Sequence, residues 1–367
     1  MARDAYTTPL AFYGALKHKA RLVAHSEGLP VADVLSSYFF SRLVARVFHA
    51  QPERWLVKGG HALLMRYAAA ARLSQDIDIQ HSIAGGIGEA VADLLKAAAY
   101  DLGDYMSFTP TRTSMHENGA TGAKQAFRVH LGTHEVAVLK VDVVTGLPPS
   151  SPPDVRRVEP LVDLAWPADW PEAKLYPIVN HLADKVCAMF ERHKGSPSSR
   201  YRDLADILLI SQRESIDGRY AQLALRTEAR RRRLMGADLV LPQAFEPPGP
   251  AWPGRYLPAA RQVPGLKGCV TWKEAAAAAD AFLTPLLAAG PPGNWNAADA
   301  AWRQQSEQKS PQAKGRYAHQ ARAIAEEARA RAADASAALP QRPGRASQPV
   351  RPDIPPPAVG PGPAPGR

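Results

Sequence analysis

Two short motifs in the first quarter of the chain combine a phosphate-binding turn with carboxylates that suit a metal ion. Gly59 and Gly60 follow a short apolar run, and Asp76 and Asp78 come after a stretch of helical composition. Glycines let backbone N–H groups approach a phosphate, and the N-terminus of a following helix favours negative charge. Each motif alone is common in turns and edge strands. Together they indicate nucleotidyl transfer.

The two aspartates are predicted to share one face of a strand. Side chains two residues apart on a strand point the same way, so Asp76 and Asp78 would face the substrate while Ile77 and Ile79 face the core. Two hard carboxylates suit Mg²⁺, which keeps several waters and is often completed by substrate phosphates; Mn²⁺ is an alternative. Such an ion neutralises triphosphate charge and lowers the pKa of an attacking hydroxyl.

A third carboxylate is predicted at Asp142. It is an isolated acid in an apolar run from Val136 to Val144 that reads as a strand. On a strand next to the Asp76-x-Asp78 strand, it would complete a two-metal site. The alternative is a solvent-facing residue on a half-exposed strand.

Hydrophobic periodicity and turn residues predict the elements that position these groups. Helices are expected at 1–50, 62–73, 88–102, from 178 onward, from about 200, around Arg226 to Arg233, and at 272–287. Strands are expected at 55–57, 76–79, 125–131 and 135–144, with a proline-rich loop at 145–175 and a connector at 242–268. The fold class is therefore α+β.

Composition bounds the class of protein. The two cysteines, Cys187 and Cys269, are too few for a disulfide framework, and no apolar stretch is long enough to span a bilayer, so a cytoplasmic location without membrane contact is expected. The net charge of +10 favours nucleic acid as a partner, although a solubilising role is as good an explanation. From Ala301 onward there are 11 Lys and Arg against 5 Asp and Glu, so the C-terminal region holds much of this excess.

Longer strings then carry a family resemblance. The first is Lys58-Gly59-Gly60-His61-Ala62-Leu63 followed by Arg72, Ser74, Asp76 and Asp78. The second is Lys185-x-x-Ala188-x-x-x-Arg192 followed by Arg202-Asp203-x-x-Asp206. In this order and spacing they resemble the motifs of the AbiEii/AbiGii toxin family of nucleotidyltransferases. The resemblance covers about residues 8–288.

The resemblance implies a polymerase-beta-like nucleotidyltransferase core with a helical C-terminal part, acting as a toxin of a bacterial toxin–antitoxin or abortive-infection (phage-defence) system. Partners would be an antitoxin encoded nearby and tRNA, or another RNA, whose 3′ end receives the nucleotide so that translation stops. The residues implied to contact the NTP are Lys58, Gly59, Gly60, Ser74 and Arg192. The residues implied to be catalytic are Asp76, Asp78, Lys185 and Asp203, with Mg²⁺ held by Asp76, Asp78 and Asp142.

Several of these assignments have plain structural alternatives. Lys185 would otherwise be a lysine at the edge of an amphipathic helix, and Asp203 would act in catalysis or orient Lys185 or an arginine. His61 replaces the small or hydroxyl residue that similar proteins often have after the glycines, and is expected to begin a helix more readily than to bind metal. The cluster Arg230 to Arg233 is a candidate tRNA contact or a solvated helix face.

The expected organisation has four parts. These are N-terminal helices at 1–50, the nucleotidyltransferase core at 51–175, a helical domain at 176–289 that completes the NTP site, and an Ala/Arg/Pro-rich, largely disordered tail at 290–367. Two alternative functions stay open: transfer to a small molecule or a protein, and a module that binds a nucleotide or a partner without catalysis.

Overall fold

The computed structural model describes residues 6–82, 86–116, 122–146, 148–164, 166–167, 169–290 and 292–304. All of them lie in one compact unit, Met1–Gln308. Most of the predicted tail, from residue 305 onward, lies outside the described residues. Within the described part, no helix combines the length and the apolarity that crossing a membrane requires.

Two long helices precede the sheet, α1 at Pro9–Glu27 and α2 at Val31–Ala50. The Thr8 side chain accepts a hydrogen bond from the Ala11 backbone, so Thr8 caps α1 as its position before Pro9 predicts. Helix α2 is buried from Ser37 to Phe48, including Phe39 and Phe40. The expected helical N-terminal region is therefore present and packs into the core.

A mixed sheet forms the centre of the first half of the chain. Its strands are β1 at Trp55–Lys58, β2 at Ile77–His81, β3 at Met106–Met115, β4 at Gly122–Leu131, β5 at His134–Thr145, β6 at Asp154–Arg157 and β7 at Glu172–Leu175. The strand order is β3-β4-β5-β2-β1-β7-β6. The β2–β5 and β1–β7 pairs are parallel, and the other pairs are antiparallel.

Helices cover one face of this sheet. Helix α3 at Gly59–Tyr67 connects β1 towards β2, and α4 at Ile87–Ala98 connects β2 towards β3. Apolar side chains of α1, α2 and α4 pack with Phe127 and Val129 of β4 and Leu139 and Val141 of β5 in one hydrophobic core. The alternation of buried and exposed residues along β4 and β5 follows directly, because neighbouring side chains of a strand point to opposite faces.

The second half is mainly helical and has its own hydrophobic cluster. Its elements are α5 at Ile178–Phe190, β8 at Glu191–Arg192, α6 at Tyr201–Arg213, β9 at Ile216–Asp217, α7 at Gly218–Leu234, β10 at Asp238–Leu239, α8 at Trp252–Ala260, α9 at Trp272–Leu287, β11 at Asn294–Asn296 and β12 at Ala301–Arg303. Leu63 and Leu64 of α3 belong to this second cluster. Helix α3 therefore joins the sheet to the helical half.

The structure corrects three details of the sequence interpretation. Strand β3 was not expected, because only Met106 and Phe108 of its ten residues are buried apolar side chains. Helix α8 lies in the expected connector, where its prolines and glycine read as loop residues. Helix α3 ends at Tyr67 instead of about residue 73, and a short 3₁₀ turn follows it.

The folded part also extends past the expected boundary at residue 289. Strand β11 pairs with β9 and β12, and Trp295 is buried in the second cluster. The Trp295 indole donates a hydrogen bond to the backbone carbonyl of Ser211 on α6. The folded part therefore includes the described residues 292–304, which lie beyond the boundary expected at residue 289.

Candidate active site

The glycine turn lies directly against the first carboxylate. Strand β1 ends at Lys58, which pairs with Asp78 of β2. Gly59 then begins α3 with a φ of +63°, and a Cβ atom at this position would lie 1.6 Å from Asp78 Oδ2. Only glycine permits this combination of left-handed backbone and close approach. The turn thus brings the start of α3 beside the Asp78 carboxylate.

Asp78 and Asp142 form a pair across two parallel strands. The β2–β5 register places Asp78 opposite Asp142. Residues at paired positions point to the same face of the sheet. The structure therefore places Asp142 on the strand next to Asp78, which is the location predicted from the sequence.

Asp76 stands just outside the strand. Strand β2 begins at Ile77, so Asp76 lies in the segment leading into it and is exposed, instead of sharing the strand with Asp78 as expected. Its Oδ1 atom accepts a hydrogen bond of 3.2 Å from Ser74 Oγ. Ser74 also lies beside the turn, because a Cβ atom on Gly60 would be 3.0 Å from Ser74 Oγ. Ser74 consequently links Asp76 to the glycine turn.

The three carboxylates interact electrostatically. Burial, followed by the negative charges of Asp76 and Asp142, raises the pKa of Asp78 to about 6. Lys185 and Lys58 act in the opposite direction and limit this shift. Burial also raises the pKa of Asp142, although His116 and Lys124 partly offset it. The three carboxylates thus repel one another, and a bound cation would reduce this repulsion.

His116 is an unexpected neighbour of the third carboxylate. Its Nε2 atom is 2.9 Å from Asp142 Oδ1, a close approach that lacks good hydrogen-bond alignment. A Cβ atom on Gly122 would lie 2.2 Å from the His116 ring, so glycine is needed there to seat the imidazole. Nothing in the spacing of His116 and Asp142 along the chain indicates this contact.

The donor set fits a hard divalent cation. Within the residues that the structure describes, no group of three or more His, Cys, Asp or Glu side chains is arranged closely enough to hold a metal by itself. Mg²⁺ does not need such a cage, because it is commonly held by one or two carboxylates together with water and substrate phosphates. The Asp78–Asp142 pair and the raised pKa of Asp78 match that requirement.

Lys185 lies at the centre of a buried charge network. Its Nζ atom donates hydrogen bonds to Asp203 Oδ1 at 2.8 Å and to Asp206 Oδ2 at 2.7 Å. Asp206 also accepts hydrogen bonds from the Arg72 guanidinium, with Nη2 3.2 Å from Oδ2, and Arg200 lies 3.7 Å from Asp203. Burial alone would lower the pKa of Lys185, but Asp203 and Asp206 outweigh it and raise that pKa. Lys185 is therefore held as an ammonium.

This network joins both halves of the chain. Arg72 leads into the Asp76-x-Asp78 segment, whereas Lys185 lies on α5 and the two aspartates on α6. Asp203 and Asp206 both orient Lys185, and Asp206 alone of the two also holds Arg72. The sequence motifs contain Arg72 and Asp206 as well as Lys185 and Asp203, and the sequence left open which of the two aspartates is the functional acid. The contact between Arg72 and Asp206 was not predicted.

Lys58 and the arginines of α7 belong to a second charge network. Lys58 Nζ is 4.2 Å from the Tyr176 ring centroid and 3.9 Å from Asp184 Oδ2. Asp184 also accepts a 2.5 Å hydrogen bond from Arg232. The acids that pair with Arg231 and Arg232 on and around α7 are Glu228, Asp184 and Glu191. These two arginines therefore serve in packing contacts, while Arg230 and Arg233 are exposed.

The contacts of Arg192 and His61 are with residues other than the three carboxylates of the site. Arg192 is exposed, donates to the Gly195 carbonyl and lies 4.0 Å from Asp238, so the structure does not bring it to the group around Asp78. His61 is buried with its ring against Phe40, and burial lowers its pKa to about 4. Its ring nitrogens have no hydrogen-bond partner among the described residues. His61 is thus a neutral core residue at the start of α3.

Replacing Gly59 with alanine is expected to impair the site more than the same change at Gly60. Alanine at 59 would be strained at φ +63°, at a cost of about 1–2 kcal/mol, and would push the Asp78 carboxylate aside. Gly60→Ala meets Ser74 Oγ at 3.0 Å without a positive φ and serves as the matched control. Thermal melts and labelled-nucleotide transfer would measure both variants. Equal losses would contradict the close approach assigned to Gly59.

A glycine turn from strand to helix, set against carboxylates on adjacent strands, defines the class of nucleotidyltransferases. Residues 42–335 match the family model described as nucleotidyl transferase AbiEii toxin, type IV toxin–antitoxin system. The chain belongs to this family. It is a nucleotidyltransferase toxin, and membership in a toxin–antitoxin system implies an antitoxin partner.

Solved structures similar to this chain include two bacterial proteins. MenT4, a nucleotidyltransferase toxin from Mycobacterium tuberculosis H37Rv, is 17% identical, with a TM-score of 0.43, 70% of this chain and 93% of MenT4 covered. JHP933 from Helicobacter pylori is 13% identical, with a TM-score of 0.37, 69% of this chain and 91% of JHP933 covered. No curated protein matches the sequence significantly.

Proposed function

We propose that this toxin transfers a nucleoside monophosphate from an NTP to the 3′ end of an RNA, with tRNA as the acceptor, and thereby blocks translation. The observation that carries the proposal is the Asp78–Asp142 pair across β2 and β5, with the glycine turn directly against it. In this proposal the backbone that would bind phosphate lies beside the oxygens that would hold the metal ion. The reaction would form a bond between the acceptor 3′ oxygen and the α-phosphorus and release pyrophosphate.

Each residue of the site has a distinct role in this proposal. The N-terminus of α3 at Gly59 and Gly60, with the Ser74 hydroxyl, would receive the triphosphate. Asp76, Asp78 and Asp142 would hold Mg²⁺, with Mn²⁺ able to replace it. A bound cation of this kind supplies charge neutralisation on the triphosphate and a lowered pKa for the attacking hydroxyl. Asp142, whose pKa burial raises, would accept the proton of that hydroxyl.

Lys185 is proposed to face the triphosphate as a fixed positive charge. Its ammonium already acts on Asp78 electrostatically, which supports its placement towards the carboxylates. Asp203 and Asp206 would position Lys185 and not touch the substrate. The proposed organisation keeps 51–175 as the catalytic core and 176–289 as the helical part that supplies Lys185. Arg192 is left out of the NTP contacts because its guanidinium donates to the Gly195 carbonyl. Lys58, which also acts on Asp78 electrostatically, remains a proposed NTP contact.

Transfer assays with total tRNA would test this function. Wild-type protein with α-labelled NTPs should label tRNA, whereas γ-labelled NTPs should leave it unlabelled, because pyrophosphate departs. Label on a small molecule or on protein would support the alternative acceptors. Absence of transfer from all four NTPs, with cellular toxicity intact in Asp78→Ala, would contradict the enzymatic proposal and favour a non-catalytic binding module.

A further inference from the structure

The face of the sheet that carries Asp78 and Asp142 continues across three strands. Asp142 of β5 pairs with Lys124 of β4, which pairs with Ser114 of β3. The next paired rows on the same face are Lys140 with Ala126 and Arg112, and Val138 with Arg128 and Thr109. Since paired residues point to the same side of a sheet, all three rows share a face with the carboxylates. We call these three rows the β3–β5 face.

This face is open. Its positions are exposed or half-buried, and Val138 is 57% exposed. The opposite face of the same strands is buried under helices, with Phe127 and Leu139 in the first core. A sheet buried on one side and solvated on the other is common for antiparallel strands. The unusual feature here is the charge of the solvated side.

The open face is strongly basic. Arg112, Lys124 and Lys140 form no ion pair within 4.0 Å with any residue that the structure describes. Arg128 lies 3.6 Å from Glu135, with both side chains about half exposed. Asp142 is the one acid among the three described rows, and it belongs to the active site. Arg112, Arg128 and Lys140 are therefore presented with little local neutralisation, while Lys124 lies beside Asp142.

The chemistry of this face suits a polynucleotide backbone. Cations without acidic partners attract phosphates and release counterions on binding. Hydroxyl groups at Thr109 and Ser114 add donors of the kind that contact phosphate oxygens. Val138 is the one large apolar side chain in the three rows, whereas protein interfaces centre on buried aromatic and apolar anchors. Of the α7 arginines, Arg231 and Arg232 are less suited because they are paired with acids.

We propose that the β3–β5 face binds the sugar-phosphate backbone of the RNA acceptor and leads its 3′ end to Asp78 and Asp142. This inference rests on the proposed transfer to RNA and adds the location of the acceptor. The face runs without interruption into the carboxylate row through the Lys124–Asp142 pair. The backbone would lie along β3 and β4, and its terminal nucleotide would reach the carboxylates.

Charge reversal on this face would test the proposal. The triple variant Arg112→Glu, Arg128→Glu, Lys140→Glu avoids the carboxylate row. The matched control is Lys19→Glu, Arg21→Glu, Lys96→Glu, which makes the same charge change at exposed positions on α1 and α4, the helices of the buried side. Anisotropy of fluorescein-labelled total tRNA would be measured over a series of salt concentrations, together with the affinity for a fluorescent NTP and the melting temperature.

The first triple variant should weaken tRNA binding by at least about 10-fold and lower the slope of log K against log[salt] by roughly 2–3. NTP affinity and melting temperature should stay close to wild type, and the control should bind tRNA normally. Unchanged tRNA affinity in the first variant, or an equal loss in the control, would overturn the assignment of this face. Loss of antitoxin binding with tRNA affinity intact would assign the face to a protein instead. Wild-type protein that neither binds tRNA nor labels it would refute tRNA as the acceptor.

Discussion

Asp78→Asn is expected to abolish nucleotidyl transfer and to make the folded protein more stable at neutral pH. The loss of transfer should be at least about 1,000-fold, because the change removes one of the paired carboxylates that would hold the cation on the triphosphate. The gain in stability has a separate origin. In the folded protein burial and the neighbouring carboxylates Asp76 and Asp142 oppose the ionisation of Asp78.

The sign of the stability effect follows from the pKa of Asp78, which is raised from its ordinary value of 3.8 to about 6. The raised pKa means that protonated Asp78 stabilises the folded state. This stabilisation is complete below about pH 4 and is lost as the pH rises through 6. At pH 7 the free energy of unfolding of the wild type is therefore about 1–3 kcal/mol lower than that of the asparagine variant. Urea denaturation at pH 4.5 and pH 7.5 would measure the difference.

A neutralised acid elsewhere provides the control for this prediction. Glu159→Gln removes one carboxylate at an exposed position and should change neither transfer nor stability. A transfer rate in Asp78→Asn within 10-fold of wild type would contradict the catalytic assignment. An Asp78→Asn variant that is less stable than wild type at pH 7.5 would contradict the electrostatic account.

Asp206→Asn is expected to destabilise the protein much more than Asp203→Asn. Asp206 is 1% exposed and accepts hydrogen bonds from both Lys185 and Arg72, so its neutralisation leaves the buried Lys185 and the partly buried Arg72 undercompensated. A broken buried pair of this kind costs about 3–5 kcal/mol. In the buried network Asp203 accepts a hydrogen bond from Lys185 but not from Arg72, so the Asp203→Asn change should cost about 1–2 kcal/mol of stability. Guanidinium denaturation would rank the two variants.

A double variant separates the structural role of this network from its catalytic role. Lys185→Met with Asp206→Leu removes a cation and an anion together and should recover part of the stability lost by Asp206→Asn. Transfer should stay absent, because the fixed ammonium near Asp78 is gone. Recovery of both stability and transfer would show that Lys185 has only a structural role. Equal destabilisation by Asp203→Asn and Asp206→Asn would contradict the ranking.

Local sequence patterns predicted much of the sheet and of the carboxylate group. The apolar run around Asp142 indicated a strand. Because Asp142 is the isolated acid in this run, it was a candidate metal ligand. The glycine pair predicted a turn between strand and helix, which the structure confirms at Lys58 and Gly59. The parallel pairing of β2 with β5 was not predictable, because register between distant strands leaves no local pattern.

The missed features depend on contacts between distant parts of the chain. Arg72 and Asp206 are 134 residues apart and meet only after the helical half packs against the sheet. Strand β3 has a polar pattern because one side of it belongs to the open β3–β5 face. Trp295 was assigned to the Ala/Arg/Pro-rich tail, whereas its indole packs in the second cluster.

Binding of Mn²⁺ in the presence of a nonhydrolysable NTP, followed by electron paramagnetic resonance, tests the central claim most directly. The claim is that Asp78 and Asp142, paired across β2 and β5, hold the cation of the nucleotide substrate. Wild type and Glu159→Gln should bind Mn²⁺ saturably with equal affinity, while Asp78→Asn and Asp142→Asn should each lose at least about 10-fold in affinity. Wild-type affinity in both aspartate variants would contradict the claim.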